Sequence, residues 1–514
     1  MTGAVLALAT FLTATPQSKP AAPEAPPIAP MDARIVLHLP APTQGLPAFR
    51  QLFTAAGTKA PLLRPVTFER LFRPALGADL FDLEALADAG IDPQHPITLS
   101  QWRGQWLACF TTRANPTPTD ERGARQEPGA DGAGEREVAL APLPLPMDAS
   151  ASGRSGAGAQ SARPLKPVRF EEQGVTFRGQ ADDTGAWLSG RARLGSLVCS
   201  ANAIGVDVRP LLRLAADSLR DANASPARAP EPQALALVGE RAPLVGRFQT
   251  RHGRLTARFF PNDSGLVARG KLQGSGELLA KPEPKASQPL HQMTRSAPDV
   301  PVWLNLSLSK KALAAGGKLD QALDRALRHS CLDCPAEARL ALQRRLLESL
   351  SGPVALAITG LDPRAPRGSP QQIRQAIFAS VREAEQPKLK TALSAIEPRL
   401  AQSRFGVGLR GGTLSLGNDE KLLKQVSTPS ETASAPPPKD AVRLTFHGAR
   451  LAELLQPISM FDMANGSLFG ALFFLKMEAG ALIKSADKLE LTANPVGPDI
   501  DFEATIALGQ QKKR

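Results

Sequence analysis

The chain has no Tyr, and aromatic residues make up only 5% of it. Leu, Val and Ala must therefore fill most of any core. Basic runs are not interleaved with aromatics, so the stacking grooves that hold single-stranded nucleic acid are not indicated. Long apolar runs are also lacking. The best two, Ala4–Thr13 and Leu468–Leu475, fall well short of the roughly 20 residues a membrane-crossing helix needs. Histidine is sparse: six residues (38, 95, 252, 291, 329 and 447), scattered one per segment. There is no G-x-S-x-G, no phosphate loop of the G-x-x-x-x-G-K type and no H-E-x-x-H. No enzyme activity and no cofactor or metal is expected on these grounds. No Cys follows the first apolar run closely, so a bacterial lipid anchor is not indicated either.

What the chain has is length, punctuation and charge. Its 514 residues exceed one ordinary core, and a 42% hydrophobic content is enough for several. The 47 Pro and 42 Gly leave room for irregular segments. The formal net charge of +12 admits an anionic polymer as partner. The positive residues are thinly spread, however, with Lys310-Lys311, Arg344-Arg345 and Lys512-Lys513-Arg514 the densest runs. A generally basic, solvated surface is the favoured reading, and nucleic acid is not an expected partner. Ala4–Thr13 and the Pro/Ala stretch behind it read as the apolar part of an export signal and a flexible lead.

Three segments recur in the same order. Asp32-Ala-Arg-Ile-Val-Leu-His-Leu39 is echoed by Asp299-Val-Pro-Val-Trp-Leu-Asn-Leu306, Gly104-Gln-Trp-Leu-Ala-Cys-Phe110 by Gly352-Pro-Val-Ala-Leu-Ala-Ile358, and Gly195-Ser-Leu-Val-Cys199 by Gly412-Thr-Leu-Ser-Leu416. Ordered echoes predict a module used twice. The expected fold class is α+β, with two tandem copies of a mixed module of antiparallel sheets and flanking helices. Residues 1–30 form a leader and linker, 31–280 the first module, 281–297 a linker, 298–508 the second module and 509–514 a basic tail. Residues 114–166, rich in Gly, Ala, Ser, Arg, Glu and Pro, are expected to be a disordered insertion, and 428–439 a Ser/Pro linker. Helices are expected after Thr43 and over Leu80–Ala89, Val208–Leu219, Pro335–Leu350 and Gln371–Glu385. Single strands are expected at Trp102–Thr112 and Val300–Leu308, and a hairpin at Phe405–Leu416.

The four Cys carry the sharpest chemistry. Cys109 and Cys199 each sit on an apolar strand, where they could bond across a sheet or stay as buried thiols. Cys331 and Cys334 form a C-x-x-C just before Pro335, the expected first residue of a helix. A thiol there has a lowered pKa, which suits thiol–disulfide exchange. Redox C-x-x-C pairs normally follow a strand, though, and this one follows a helix, so a structural staple is the favoured reading. As a zinc half-site it lacks a second pair, and His329 alone does not complete one. Gly406-Val-Gly-Leu-Arg-Gly411 matches the dinucleotide fingerprint, yet a strand follows it where a helix is required, so a hairpin turn is expected. His38 reads as a strand residue. Asp182, Asp183, Asp499 and Asp501 read as turn or strand-start residues.

Asp32–Leu39, Leu76-Gly-Ala-Asp-Leu80, Ala89-Gly-Ile-Asp-Pro93 and Gly411-Gly-Thr-Leu-Ser-Leu-Gly-Asn418 form a succession. It resembles an uncharacterised, domain-of-unknown-function family of exported bacterial α+β proteins. The resemblance implies export and a duplicated build, and it transfers no functional residue. The expectation is a non-catalytic envelope protein that binds or scaffolds a lipid, a peptide or another envelope protein. The rivals are an exported thiol–disulfide enzyme using Cys331 and Cys334, and a basic surface for anionic polymers.

Overall fold

The computed structural model describes residues 33–40, 42–59, 64–103, 105–113, 165–202, 206–224, 242–250, 253–262, 265–274, 276–297, 299–314, 335–362, 372–398, 405–426, 438–457 and 486–508, with single positions at 320, 324, 365 and 483. Among the described residues eighteen strands form one sheet. In the first half they are β1 (Ile35–Leu39), β2 (Ile97–Trp102), β3 (Gln105–Thr111), β4 (Lys166–Glu172), β5 (Val175–Ala181), β6 (Trp187–Leu194), β7 (Leu197–Asn202), β8 (Leu244–Thr250), β9 (Gly253–Asn262) and β10 (Gly265–Leu272). In the second they are β11 (Val302–Ser307), β12 (Leu350–Leu361), β13 (Ile373–Val381), β14 (Gly406–Arg410), β15 (Thr413–Gly417), β16 (Val442–His447), β17 (Ala486–Val496) and β18 (Asp499–Leu508).

Every pairing is antiparallel, and the order across the sheet is β4-β5-β6-β7-β3-β2-β1-β8-β9-β10-β18-β17-β16-β11-β12-β13-β15-β14. Outward from β1 run β2, β3, β7 and β6 on one side, and β8, β9 and β10 on the other. Outward from β11 run β12, β13, β15 and β14, and then β16, β17 and β18. The two halves share this order, with the β4–β5 hairpin extra in the first. They meet where β10 pairs with β18, Ala268 opposite Ala504.

Strand alternation gives the middle of the sheet two unlike faces. Phe259, Ala268, Ala504 and Leu491 lie side by side on one face, and Arg258, Arg269, Glu503, Thr492 and Arg443 on the other. Towards each end, helices cover both faces. In the first half α1 (Pro42–Lys59), α2 (Pro65–Leu76) and α3 (Leu83–Asp88) sit on the apolar face, where Leu46, Phe49 and Leu86 pack with Leu39, Leu99 and Phe110. Helix α4 (Arg209–Ala224) covers the opposite face. In the second half α6 (Ala336–Ser349) and α7 (Gln386–Ser394) lie on the apolar face, with Leu342, Leu346 and Leu389 against Leu304, Leu306 and Leu356. Helix α5 (Pro284–Ser296) and helix α8 (Glu420–Val426) cover the other face through Leu290 and Leu422, over Trp303, Ala357 and Phe378. Helix α9 (Gly448–Leu455) packs beside Val302 and Ile358.

The architecture is a mixed α+β one dominated by a large antiparallel sheet. Local signals behave as read where they are strong. Asp82 caps α3 by accepting from the N–H groups of Glu84 and Ala85 at 3.0 and 3.1 Å, and Gly90 beyond its end has φ 81°. Four readings change. Gln371–Glu385 is not a helix but contains strand β13. Its Ile373, Ala376, Ile377 and Val381 fit a helical period, yet β13 is paired on both sides and buried on both faces, which removes period-two alternation. Trp102–Thr112 is not one strand, because the chain turns at Arg103 (φ 48°) between β2 and β3. Residues 281–297, read as a linker, carry α5, which packs on the second half's sheet. The second echo pairs β3 with β12, whereas the strand order matches β12 with β2 and β13 with β3. The leader, the basic tail, most of 114–166 and 427–437 lie outside the described residues.

Candidate functional site

A cleft in the first half lies between α4 and the outermost strands β4 to β6. Helix α4 turns Leu211, Leu212, Ala215, Ala216 and Leu219 inward, all 2% exposed or less, onto Cys109, Cys199 and Ala201. Its start is fixed to β6 by Asp207, whose Oδ1 accepts from the N–H groups of Trp187 (3.1 Å) and Arg209 (3.0 Å). Burial raises the Asp207 pKa, but hydrogen bonds from the Arg209 side chain and from these two backbone groups outweigh it and hold the carboxyl below its ordinary range.

Between the first turns of α4 and β4 lies a cleft of about 760 Å³. Its floor is Val168, Phe170, Trp187 and Leu214, and Arg209, Arg213 and Asp217 stand among its polar residues. Phe170 stacks on Phe177 at 4.7 Å and meets Trp187 edge-on at 5.6 Å. Arg213 lies 6.0 Å from the Phe170 ring and 3.4 Å from Glu172. Trp187 needs a neighbour without a side chain: a Cβ on Gly179 would come within 2.3 Å of its ring. The volume lies in the range of small-molecule sites, and the lining is mixed, with five apolar residues, of which Trp187 is only 2% exposed, beside Asp207, Arg209, Arg213 and Asp217.

The sequence-selected residues divide. Cys109 and Cys199 face each other in the β3–β7 register with sulfurs 2.11 Å apart, at disulfide distance, in the core beneath α4. Cys331 and Cys334 lie outside the described residues. His38 Nδ1 is 2.9 Å from Thr98 Oγ1, and burial pushes its pKa down to about 4, as befits a neutral strand residue. The glycine fingerprint is a β14–β15 hairpin turning at Gly411 (φ 52°) and Gly412 (φ 77°). Asp182 holds a turn by accepting from the N–H groups of Thr184 and Ala186. Asp499 accepts from the N–H of Gly274 at 3.1 Å, and Asp501 lies 3.7 Å from Lys271. Among the described residues no group of three or more His, Cys, Asp or Glu is placed to hold a metal ion.

The charged face of the central strands is matched on β10, β18, β17 and β16, whereas on β8 burial and the like charge of Arg254 push the Arg247 guanidinium pKa down to about 10. Arg269 meets Glu503 at 2.7 Å, and Glu490 meets Arg443 at 2.6 Å and Lys488 at 2.7 Å. Sequence reasoning missed the cleft itself. Its signal was available: in a chain so poor in aromatics, Phe170, Phe177 and Trp187 fall within one short stretch. Among the described residues no helix is long and apolar enough to cross a membrane. No protein-family model, curated protein or solved structure matches this chain.

Proposed function

We propose that the protein is an exported, non-catalytic binding protein of the bacterial cell envelope that holds an apolar chain, of a lipid or a peptide, in the α4–β4 cleft. The observation that carries this reading is the aromatic floor of Phe170 and Trp187 among charged groups in a 760 Å³ cleft. Export is supported by the Ala4–Thr13 run with its Pro/Ala lead, and by a cysteine pair at disulfide distance, which suits an oxidising compartment. The resemblance to exported α+β proteins points the same way. The strand order common to the two halves supports an origin by tandem duplication. The ion pairs of β10, β18, β17 and β16 speak against a dedicated site for anionic polymers on those strands.

Trp187 is a built-in reporter of the cleft. Titration with a brominated fatty acid should quench its fluorescence saturably, and Phe170→Asp should abolish the quenching while the far-UV spectrum stays unchanged. An apolar peptide that competes with the quencher would identify the peptide form of the ligand. Absence of saturable binding by either class would sink the proposal.

A further inference from the structure

A second cavity, of about 270 Å³, lies in the other half of the molecule, between α5 and strands β11 and β16. It is lined from the helix by Ser287, Leu290 and His291, from β11 by Asn305, and from the entry into β16 by Lys439, Asp440 and Arg443. Ser287 and His291 stand one helical turn apart, so both project towards the same side of α5. They are 5% and 8% exposed.

The Ser287 hydroxyl is the telling group. Its Oγ is buried and has no hydrogen-bond partner. A serine within a helix often satisfies itself on a carbonyl four residues back. Here the Glu283 carbonyl accepts from the Ser287 backbone N–H, and the hydroxyl does not join it. A buried hydroxyl that has left water without a partner is unfavourable, and native proteins keep few of them. Ser287 lines the cavity, and a rotation about χ1 would turn this hydroxyl to a ligand there.

The charges around it indicate which ligand. Arg443 and Lys439 bring two positive charges and Asp440 one negative, a sum of +1 that holds because Glu490, which meets Arg443, is itself met by Lys488. Arg443 meets Glu490 through Nη2 alone, and a guanidinium carries five N–H donors. Asp440 is already engaged, its Oδ1 accepting from Asn494 Nδ2 at 3.0 Å. The Thr294 hydroxyl lies 3.0 Å from the Leu290 carbonyl and 3.2 Å from the Asn305 side-chain amide, and its one proton serves one of the two. Leu290 and Pro353 add apolar surface. At about 30 Å³ per water, the space equals roughly nine waters.

We infer that this cavity binds a small monocarboxylate. Its carboxylate is held by Ser287 Oγ with Arg443 and Lys439, and its short apolar tail lies against Leu290 and Pro353. One negative charge balances the local sum, whereas a dianion such as phosphate would leave a charge unmatched beside Asp440 and an apolar wall. Planar carboxylates also suit the guanidinium fork.

The test is calorimetric titration and thermal shift on the full chain with butyrate, butyramide and inorganic phosphate. Butyrate should bind saturably and raise the melting temperature, and the other two should not. Ser287→Ala should weaken butyrate by about five- to tenfold, the loss of one hydrogen bond, while the unliganded protein melts at the same temperature or slightly higher. Arg443→Gln should weaken it more than tenfold, and Glu490→Gln, which frees Arg443 without removing it, should leave binding intact. Failure of butyrate to bind, equal binding of butyramide or phosphate, or unchanged affinity in both Ser287→Ala and Arg443→Gln would each overturn the assignment.

Discussion

The two halves follow one strand order but hold the same pair of strands together by different means. In the first half β3 and β7 carry Cys109 opposite Cys199, residues 90 apart in sequence. In the second half β13 and β15 place Phe378 opposite Ser415 at the matching position, a separation of 415 − 378 = 37 residues. Phe378 is 1% exposed and packs 6.2 Å from Trp303 in the core under α5. Closing the longer connection costs only about 0.8 kcal/mol more, since the cost grows with the logarithm of loop length. A disulfide across such a loop is worth about 4–5 kcal/mol on the chain-entropy view. The clamp therefore more than offsets the longer connection, and at the matching strand pair of the second half an aromatic plug takes its place.

The largest test of this contrast removes the clamp. Cys109→Ala with Cys199→Ala should cost about 4 kcal/mol and should make urea unfolding biphasic, with hydrogen exchange rising in β3 and β7 before β13 and β15. Coincident loss in both halves would show that they unfold as one unit. The reciprocal change, Phe378→Ala, should cost about 3–4 kcal/mol, and exchange should rise first in the second half.

A third test uses pH. His38 on β1 occupies the place that Asn305 occupies on β11, and burial holds its pKa near 4, below the ordinary 6.5. The unfolded chain then binds the proton more readily. The stability tied to the neutral ring is complete above pH 6.5 and is lost as pH falls from about 6.5 to about 4. With the ring partly exposed, the loss is put at about 2 kcal/mol. His38→Asn should remove that component, read as a smaller drop in urea midpoint between pH 7 and 4.5 than in the parent. An equal drop would refute it.

The smallest effect is expected at the junction of the halves. Arg269 and Glu503 meet across β10 and β18 with half-exposed side chains, so a double-mutant cycle should return less than about 1 kcal/mol. A larger value would mean that ion pairs, rather than backbone pairing and the apolar face, hold the halves together.

Much of this was legible in the sequence, and the rest failed for physical reasons. The β1 and β11 echoes and the β7 and β15 echoes mark strands with matching places in the order, although β7 and β11 are buried along nearly their whole length. The β3 echo slid by one strand onto β12, because strands covered on both faces read as undirected apolar runs. The same cause made β13 look helical. Cys109 and Cys199 could be placed on strands, but register belongs to pairing and is not written locally. The cleft at Phe170 and Trp187, and the cavity at Ser287, join segments whose meeting depends on where α4 and α5 land, and no local pattern encodes that.

The junction also bears on how the chain is made. Strand β10 presents a bare edge until β18, its partner and the last strand of the fold, has been synthesised; Arg269 must wait for Glu503, 234 residues later. At about 5–20 residues per second the delay is on the order of ten to fifty seconds. Until then the first half offers an open template to any extended segment, including the same strand of another copy. Arg269 and Lys271, which end up paired with acidic residues of β18, meanwhile act as gatekeepers, charging an edge that would otherwise invite the wrong strand.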